Sequence, residues 1–431
     1  MFPSSSKTPG RSARTLLPAL VLLVALALPT GAGATSRTDV KRAMTRMSGA
    51  HGGYAYNVTK GRAVAGVNQG TARILASNTK LFTGASVLAR FGDASRFSTS
   101  VYATGPIVGG VLDGKLYLRG GGDPLFGTKA FVTDNYGSRA TLENLADAVR
   151  AAGVTKITGG IVADQTAFDS RRGTAYSGYR ISGDIGAQLG ALIVNKGWAS
   201  GKYQSDPARY AAQQLRGFLR KEGISVASAT SVGGTPVGAA RVAFVRSLPM
   251  YSLVRLMNKP SSNYLAEMLL KDAALSPRAA NALAEGGQVP LGATSSSTAR
   301  GAKASQKFAA SLGSKVKIAD GSGLSRSNKG APREVVDLLR RAAATGWFPD
   351  LRDSLPIAGV DGTLYNRMKG TAAHKKCQAK TGTLSNVATL SGYCTAASGD
   401  LIAFSLLQNK VSPATARAQQ DRVTAAIAGL R

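Results

Sequence analysis

Residues 76–84 read ASNTKLFTG, and the stretch begins a helix. Ser77 is a candidate N-cap, and Leu81, Phe82, Val87 and Leu88 supply an apolar face. Residues three apart share one face of a helix, so the Lys80 amine can reach the Ser77 hydroxyl. A lysine beside a serine works as its base only when the amine is neutral, which requires burial or a neighbouring positive charge. Ser-x-x-Lys occurs three times, at Ser4, Ser77 and Ser314. Only the sequence around Ser77 is apolar enough to bury the lysine.

Two further patterns follow in order. KPSSNYLAEMLLK places Ser261 and Asn263 at the mouth of a helix, and it contains the one Ser-x-Asn of the chain. AKTGTL places Lys380, Thr381, Gly382 and Thr383 on a strand, with the one Lys-Thr-Gly. Ser-x-x-Lys, Ser-x-Asn and Lys-Thr-Gly in that order form the combined signature of serine β-lactamases and penicillin-binding proteins. With LYLRGGGDP, DGSGLSR and SLPIAGVDGTL, the chain resembles the D-alanyl-D-alanine carboxypeptidase/endopeptidase family of low-molecular-mass class C penicillin-binding proteins, serine peptidase family S13. The likeness spans nearly all of the chain after the leader.

The resemblance implies a mechanism. Ser77 would attack the carbonyl between two D-alanines of a peptidoglycan stem peptide, or of a D-Ala cross-link to meso-diaminopimelate. Lys80 would take the proton and Ser261 would relay it to the leaving amine. Asn263 would hold the substrate amide. Lys380 would supply charge for the terminal carboxylate, Thr381 and Thr383 would supply hydroxyls, and Gly382 would let the substrate lie flat. Backbone N–H groups of Ser77 and Thr383 would form the oxyanion hole. In DGSGLSR, Ser322 and Arg326 resemble positions that line the substrate cleft. Asp123 in GGGDP reads as shaping a turn before Pro124. The chain departs from relatives at Leu75, where proline is common, and at Ser262, where aspartate is common. It also has no room between LIVNKGWASG and SDPARY for the extra subdomain that many relatives nest in the inserted domain.

Composition narrows the setting. The 431 residues carry a formal net charge of +31, so the chain favours anionic surroundings. Lys7, Arg11 and Arg14 precede an apolar run from Leu16 to Leu28, and Ala32-Gly33-Ala34 follows as a small-residue cleavage site. This is the layout of a signal peptide over residues 1–34 rather than a membrane anchor. The expected location is across the cytoplasmic membrane, in the periplasm, on the wall or outside the cell, with no membrane span after cleavage. Export makes nucleic acid an improbable partner and an anionic wall polymer the expected one; β-lactam antibiotics are the expected inhibitors. The chain has two histidines, His51 and His374, neither beside a nucleophile or in a zinc-binding spacing. Hydrolysis is therefore expected to run without histidine, metal or cofactor. Cys377 and Cys394 flank a strand–turn–strand pattern with its turn at Ser385-Asn386. In an oxidising compartment this predicts a disulfide across a hairpin; the alternative is two buried free thiols.

The expected fold is α/β: a penicillin-binding-protein or serine β-lactamase-like transpeptidase domain, with an antiparallel sheet flanked by helices. Two of its strands come from before Ser77 and three from after Lys369. The domain is read as discontinuous, 35–90 and 247–431, interrupted by a strand-rich inserted domain at 91–246. Two other functions fit the same motifs. A class A β-lactamase needs a deacylating glutamate, typically in Glu-x-x-x-Asn, and neither Glu267 nor Glu285 has asparagine four residues on. A non-catalytic wall-binding protein on the same fold would leave the intact triplet without a purpose.

Overall fold

Apolar residues in VATLSGYC and DLIAFSLLQN are buried along the whole of both strands, as in the middle of a sheet covered on two faces. The computed structural model describes residues 35–276, 279 and 295–431. The expected leader, Glu285 and most of GGQVPLGATSSSTARGA, residues 286–302, which reads as an exposed loop, lie outside the described residues. Five strands form one sheet in the order Cys377–Leu384, Val387–Thr395, Leu401–Asn409, Ala50–Asn57, Arg62–Val67. Every pairing in it is antiparallel. Two strands thus precede Ser77 and three follow Lys369. The helix Pro332–Ala342 packs on one face, and Arg37–Thr45 with Pro413–Ala428 cover the other.

Cys377 and Cys394 pair directly across the first hairpin, are 4.1 Å apart at Cα and form a disulfide. Asn386, at φ 56°, makes the turn. The strand Cys377–Leu384 is the edge of the sheet. Its first half is covered, because Ala358 N donates to Cys377 O and Ala379 N donates to Pro356 O. Its second half, Thr381 to Thr383, is left facing a cleft.

A second five-stranded sheet runs in the order Ser231–Val232, Ile161–Asp164, Leu116–Arg119, Ser98–Ala103, Ala240–Arg246 and mixes parallel and antiparallel pairs. KITGGIVAD, which reads as one strand, is two. Lys156–Ile157 joins a small four-stranded sheet, and after Gly159-Gly160 the chain enters the larger one. The helices Leu142–Ala151 and Pro207–Lys221 close the apolar core of this region through Leu145, Val149, Leu215 and Leu219. Phe97, Leu125, Phe168, Ile185 and Leu189 instead join the helical core around Phe82, Met257 and Leu265. The stretch from about Ala304 to Leu312 reads as a helix in sequence; the helix starts earlier, at Thr298, because Ser297 caps it through a bond from Arg300 N.

Candidate active site

Ser77 does not cap a helix. It sits in a single 3₁₀ turn, Ala76–Asn78, ahead of the helix Thr79–Phe91. Its side chain therefore stays free of backbone capping and meets the lysine. Ala76, just before it, has φ 46°, a costly conformation for a residue with a Cβ. Two bonds anchor the turn to the sheet. Asn78 Nδ2 donates to Ser391 Oγ at 2.6 Å, and Thr389 Oγ1 donates to Leu75 O at 3.0 Å. Two glycines press against it from outside. A Cβ on Gly382 would lie 2.2 Å from Thr389 Oγ1 and 2.9 Å from Ser77 N; one on Gly323 would lie 1.9 Å from Ala76 O.

Lys80 is the second residue of the helix Thr79–Phe91 and is 0% exposed. Its Nζ donates to Ser77 Oγ at 2.9 Å, Asn263 Oδ1 at 2.8 Å and Ser322 O at 2.6 Å. Burial pulls the Lys80 amine down to about 7, partly opposed by the carboxylates of Glu267 and Asp320. A substantial fraction is thus neutral near pH 7, as a base requires.

Asn263 is placed by the residue before it. Ser262 caps the helix Asn263–Asp272 by accepting from Leu265 N, which explains a serine in the middle of Ser-x-Asn. Ser261 adopts φ 61° and lines the cleft with Ser77 and Asn263. The cleft measures roughly 560 Å3. Thr381, Gly382 and Thr383 line it, together with Gly362, Thr363, Tyr365, Asn366 and Arg367. Thr363 and Thr381 hydroxyls are bonded at 2.7 Å.

Three expected residues are placed differently. Ser322 is fully buried and reaches the site through its carbonyl, not as a cleft-lining side chain. Its N–H donates to Glu267 Oε1, which pins the DGSGLSR turn under Lys80. Arg326 donates to Ser385 O at 2.6 Å and lines a separate hollow with Ile74, Asn386 and Lys410. The guanidinium is held there by the Ser385 carbonyl at the hairpin turn. Lys380 is fully buried, and its Nζ donates to Thr381 O at 3.0 Å. Burial, with the Lys80 charge beside it, pushes the Lys380 amine well below the ordinary lysine range.

Four contributors have no role in the sequence reading, although Glu267 and Asp320 lie within the quoted stretches. Glu267 accepts N–H bonds from both Gly321 and Ser322 and acts on Lys80 through its charge; burial and Asp320 raise its own pKa. Asp320 accepts from Gly323 N, Ser325 N and Asn328 Nδ2, and shapes the same turn. The Asp184 carbonyl accepts from Asn263 Nδ2 at 2.8 Å. Arg417, at the start of the last helix, reaches Thr383 Oγ1 at 3.2 Å. Glu267 carries a signal in hindsight, since it is a carboxylate on the buried face of an apolar helix. Neither histidine lines the cleft. Among the described residues, no group of three His, Cys, Asp or Glu side chains is arranged to hold a metal, and no helix is long and apolar enough to cross a membrane.

The model of the D-Ala-D-Ala carboxypeptidase 3 (S13) family matches residues 37–203 and 198–429. A D-alanyl-D-alanine carboxypeptidase from Actinomadura sp. is 30% identical over 438 residues, covering 82% of this chain and 76% of that protein. Penicillin-binding protein 4 (dacB) from Haemophilus influenzae shares the fold, with a TM-score of 0.70 at 23% identity over 90% of this chain and 97% of that one. A second structure of it, complexed with a β-lactam, gives 0.67 at 22% identity over the same shares.

Proposed function

Since the chain belongs to the D-Ala-D-Ala carboxypeptidase 3 (S13) family of serine peptidases, we propose that Ser77 is its nucleophile and that it cleaves D-Ala-D-Ala stem peptides through an acyl-enzyme. The observation that carries this reading is the Lys80 amine, buried, lowered to about 7 and 2.9 Å from Ser77 Oγ.

The steps follow from the residues. Ser77 Oγ attacks the carbonyl carbon of the scissile bond and its proton passes to neutral Lys80 Nζ. Asn263 holds that amine by accepting from it, and its Nδ2 transfers its bond from the Asp184 carbonyl to the substrate amide. The developing oxyanion is met by the Ser77 and Thr383 N–H groups, on the turn and edge strand that Gly382 brings together. Ser261, in the same cleft, carries the proton to the leaving D-alanine amine as the C–N bond breaks. Water then attacks the ester carbon on Ser77 and gives a proton to Lys80, which returns it to Ser77 Oγ as the ester C–O bond breaks and the shortened peptide leaves as its carboxylate.

In this account β-lactams acylate Ser77 and inhibit, as a β-lactam is bound by the Haemophilus influenzae protein. Glu267 is buried under Lys80 and committed to two N–H bonds, which supports slow deacylation over β-lactamase turnover. We also treat residues 91–246 as an insertion into the catalytic domain and 1–34 as a cleaved leader. On this reading the charge of +31 holds the exported enzyme on anionic wall polymer; elution from walls by moderate salt is the expected behaviour.

The test is D-alanine release from a stem pentapeptide, with cross-linked dimer assayed beside it. Release that is lost in Ser77→Ala supports the reading. Release that persists in that variant contradicts it.

A further inference from the structure

We propose that Arg417 is the cation that receives the substrate's terminal carboxylate, sharing it with the Thr383 hydroxyl. The proposal rests on the reading of Ser77 as nucleophile and adds a specificity-determining residue from outside the three motifs.

The cleft needs a positive group near Thr381 and Thr383, where the end of the substrate would lie. Lys380 is poorly placed for this. It is fully buried, its Nζ donates to the carbonyl of the next residue, and it does not line the cleft. Two arginines do line it, Arg367 and Arg417. Arg367 is already neutralised, since both Nε and Nη2 bond to Asp421 Oδ1, at 3.0 and 2.7 Å. Arg417 makes no ion pair among the described residues, and the lining side chains include no carboxylate. Arg417 is exposed, the fifth residue of the Pro413–Ala428 helix, with one guanidinium N–H on Thr383 Oγ1 at 3.2 Å.

That bond matters for direction as well as charge. An Oγ1 that accepts from Arg417 has its own proton free to donate toward the cleft. The remaining guanidinium N–H groups and this hydroxyl then present adjacent donors to one carboxylate, the geometry in which arginine exceeds lysine. Thr381, bonded instead to Thr363, is left to position the edge strand.

The experiment compares benzylpenicillin with its methyl ester, which differ only in the carboxylate. Acylation rates of Ser77 are measured by intact mass in the wild type, Arg417→Gln and Arg417→Lys, with melting curves confirming that each variant folds. The expected result is that the acid-to-ester rate ratio falls about 10- to 100-fold in Arg417→Gln and by less in Arg417→Lys. The loss should lie in the concentration needed for half-maximal rate more than in the limiting rate. A wild type acylated at Ser77 with the same ratio in Arg417→Gln overturns this proposal alone. A wild type that takes no adduct overturns the nucleophile assignment, and this proposal with it.

Discussion

Lys80 Nζ stands 2.9 Å from Ser77 Oγ, inside the protein, with the amine lowered to about 7. A base of this kind works in its deprotonated form. Acylation of Ser77 should therefore fall about tenfold per pH unit below about 7 and level off above it. A pH profile of the acylation rate measures this. A rate independent of pH between 5 and 8 would remove Lys80 as the base.

Glu267→Gln should move that profile. The carboxylate favours protonated Lys80, so its removal lowers the lysine further and shifts the acid limb to lower pH. The amide keeps an oxygen for the Gly321 and Ser322 N–H groups, so the turn should persist. A limb that stays in place or moves upward speaks against this coupling.

Lys80→Ala should slow acylation by roughly a hundred- to ten-thousand-fold, the usual contribution of a positioned base. Rapid mixing with a chromogenic β-lactam reads the rate directly. A loss of less than about tenfold would place the proton acceptor elsewhere.

The site was legible where chemistry demands several residue types in fixed order, and illegible where one residue acts through the backbone. Ser77 and Lys80 meet because they are three residues apart at a helix start, and Ser261 and Asn263 are held together by the short cap between them; the packing of the two helices then joins the pairs in one cleft. The sheet was readable for a similar reason. Its strands are long, apolar and punctuated by turns, and the two cysteines fix the register of one hairpin. Ser322 was misplaced because a glycine-rich turn presents its carbonyl rather than its side chain to Lys80. Arg326 was misplaced because its long side chain reaches across to the hairpin turn and bonds Ser385 O, 59 residues away in sequence. Arg417 lies 34 residues after Thr383 in sequence, and only the packing of the last helix on the sheet brings them together. The break in KITGGIVAD is likewise tertiary, since either half alone reads as ordinary strand.

Gly382→Ala should disable the site without unfolding the sheet. The added Cβ would fall 2.2 Å from Thr389 Oγ1 and 2.9 Å from Ser77 N, forcing the edge strand away from the nucleophile turn. A displacement near 1 Å costs about a hundredfold in rate. Penicillin acylation and far-ultraviolet circular dichroism together check this; wild-type acylation would show that the close approach is dispensable.

Reducing the Cys377–Cys394 disulfide, or replacing both residues with serine, should cost about 3 kcal/mol of stability for a loop of this length. Urea unfolding of the variant against the oxidised protein measures it. The bridge sits at the end of the hairpin away from Thr383, so the folded variant should still acylate. Equal midpoints in urea would contradict the stabilising role.

The central claim is that Ser77 is the acylated nucleophile of a slowly deacylating DD-peptidase. Intact mass after incubation with benzylpenicillin, on the wild type and on Ser77→Ala, tests it most directly. The account predicts one stable adduct per chain on the wild type and none on the variant. An unmodified wild type beside intact penicillin, or penicillin destroyed with no lasting adduct, would contradict it.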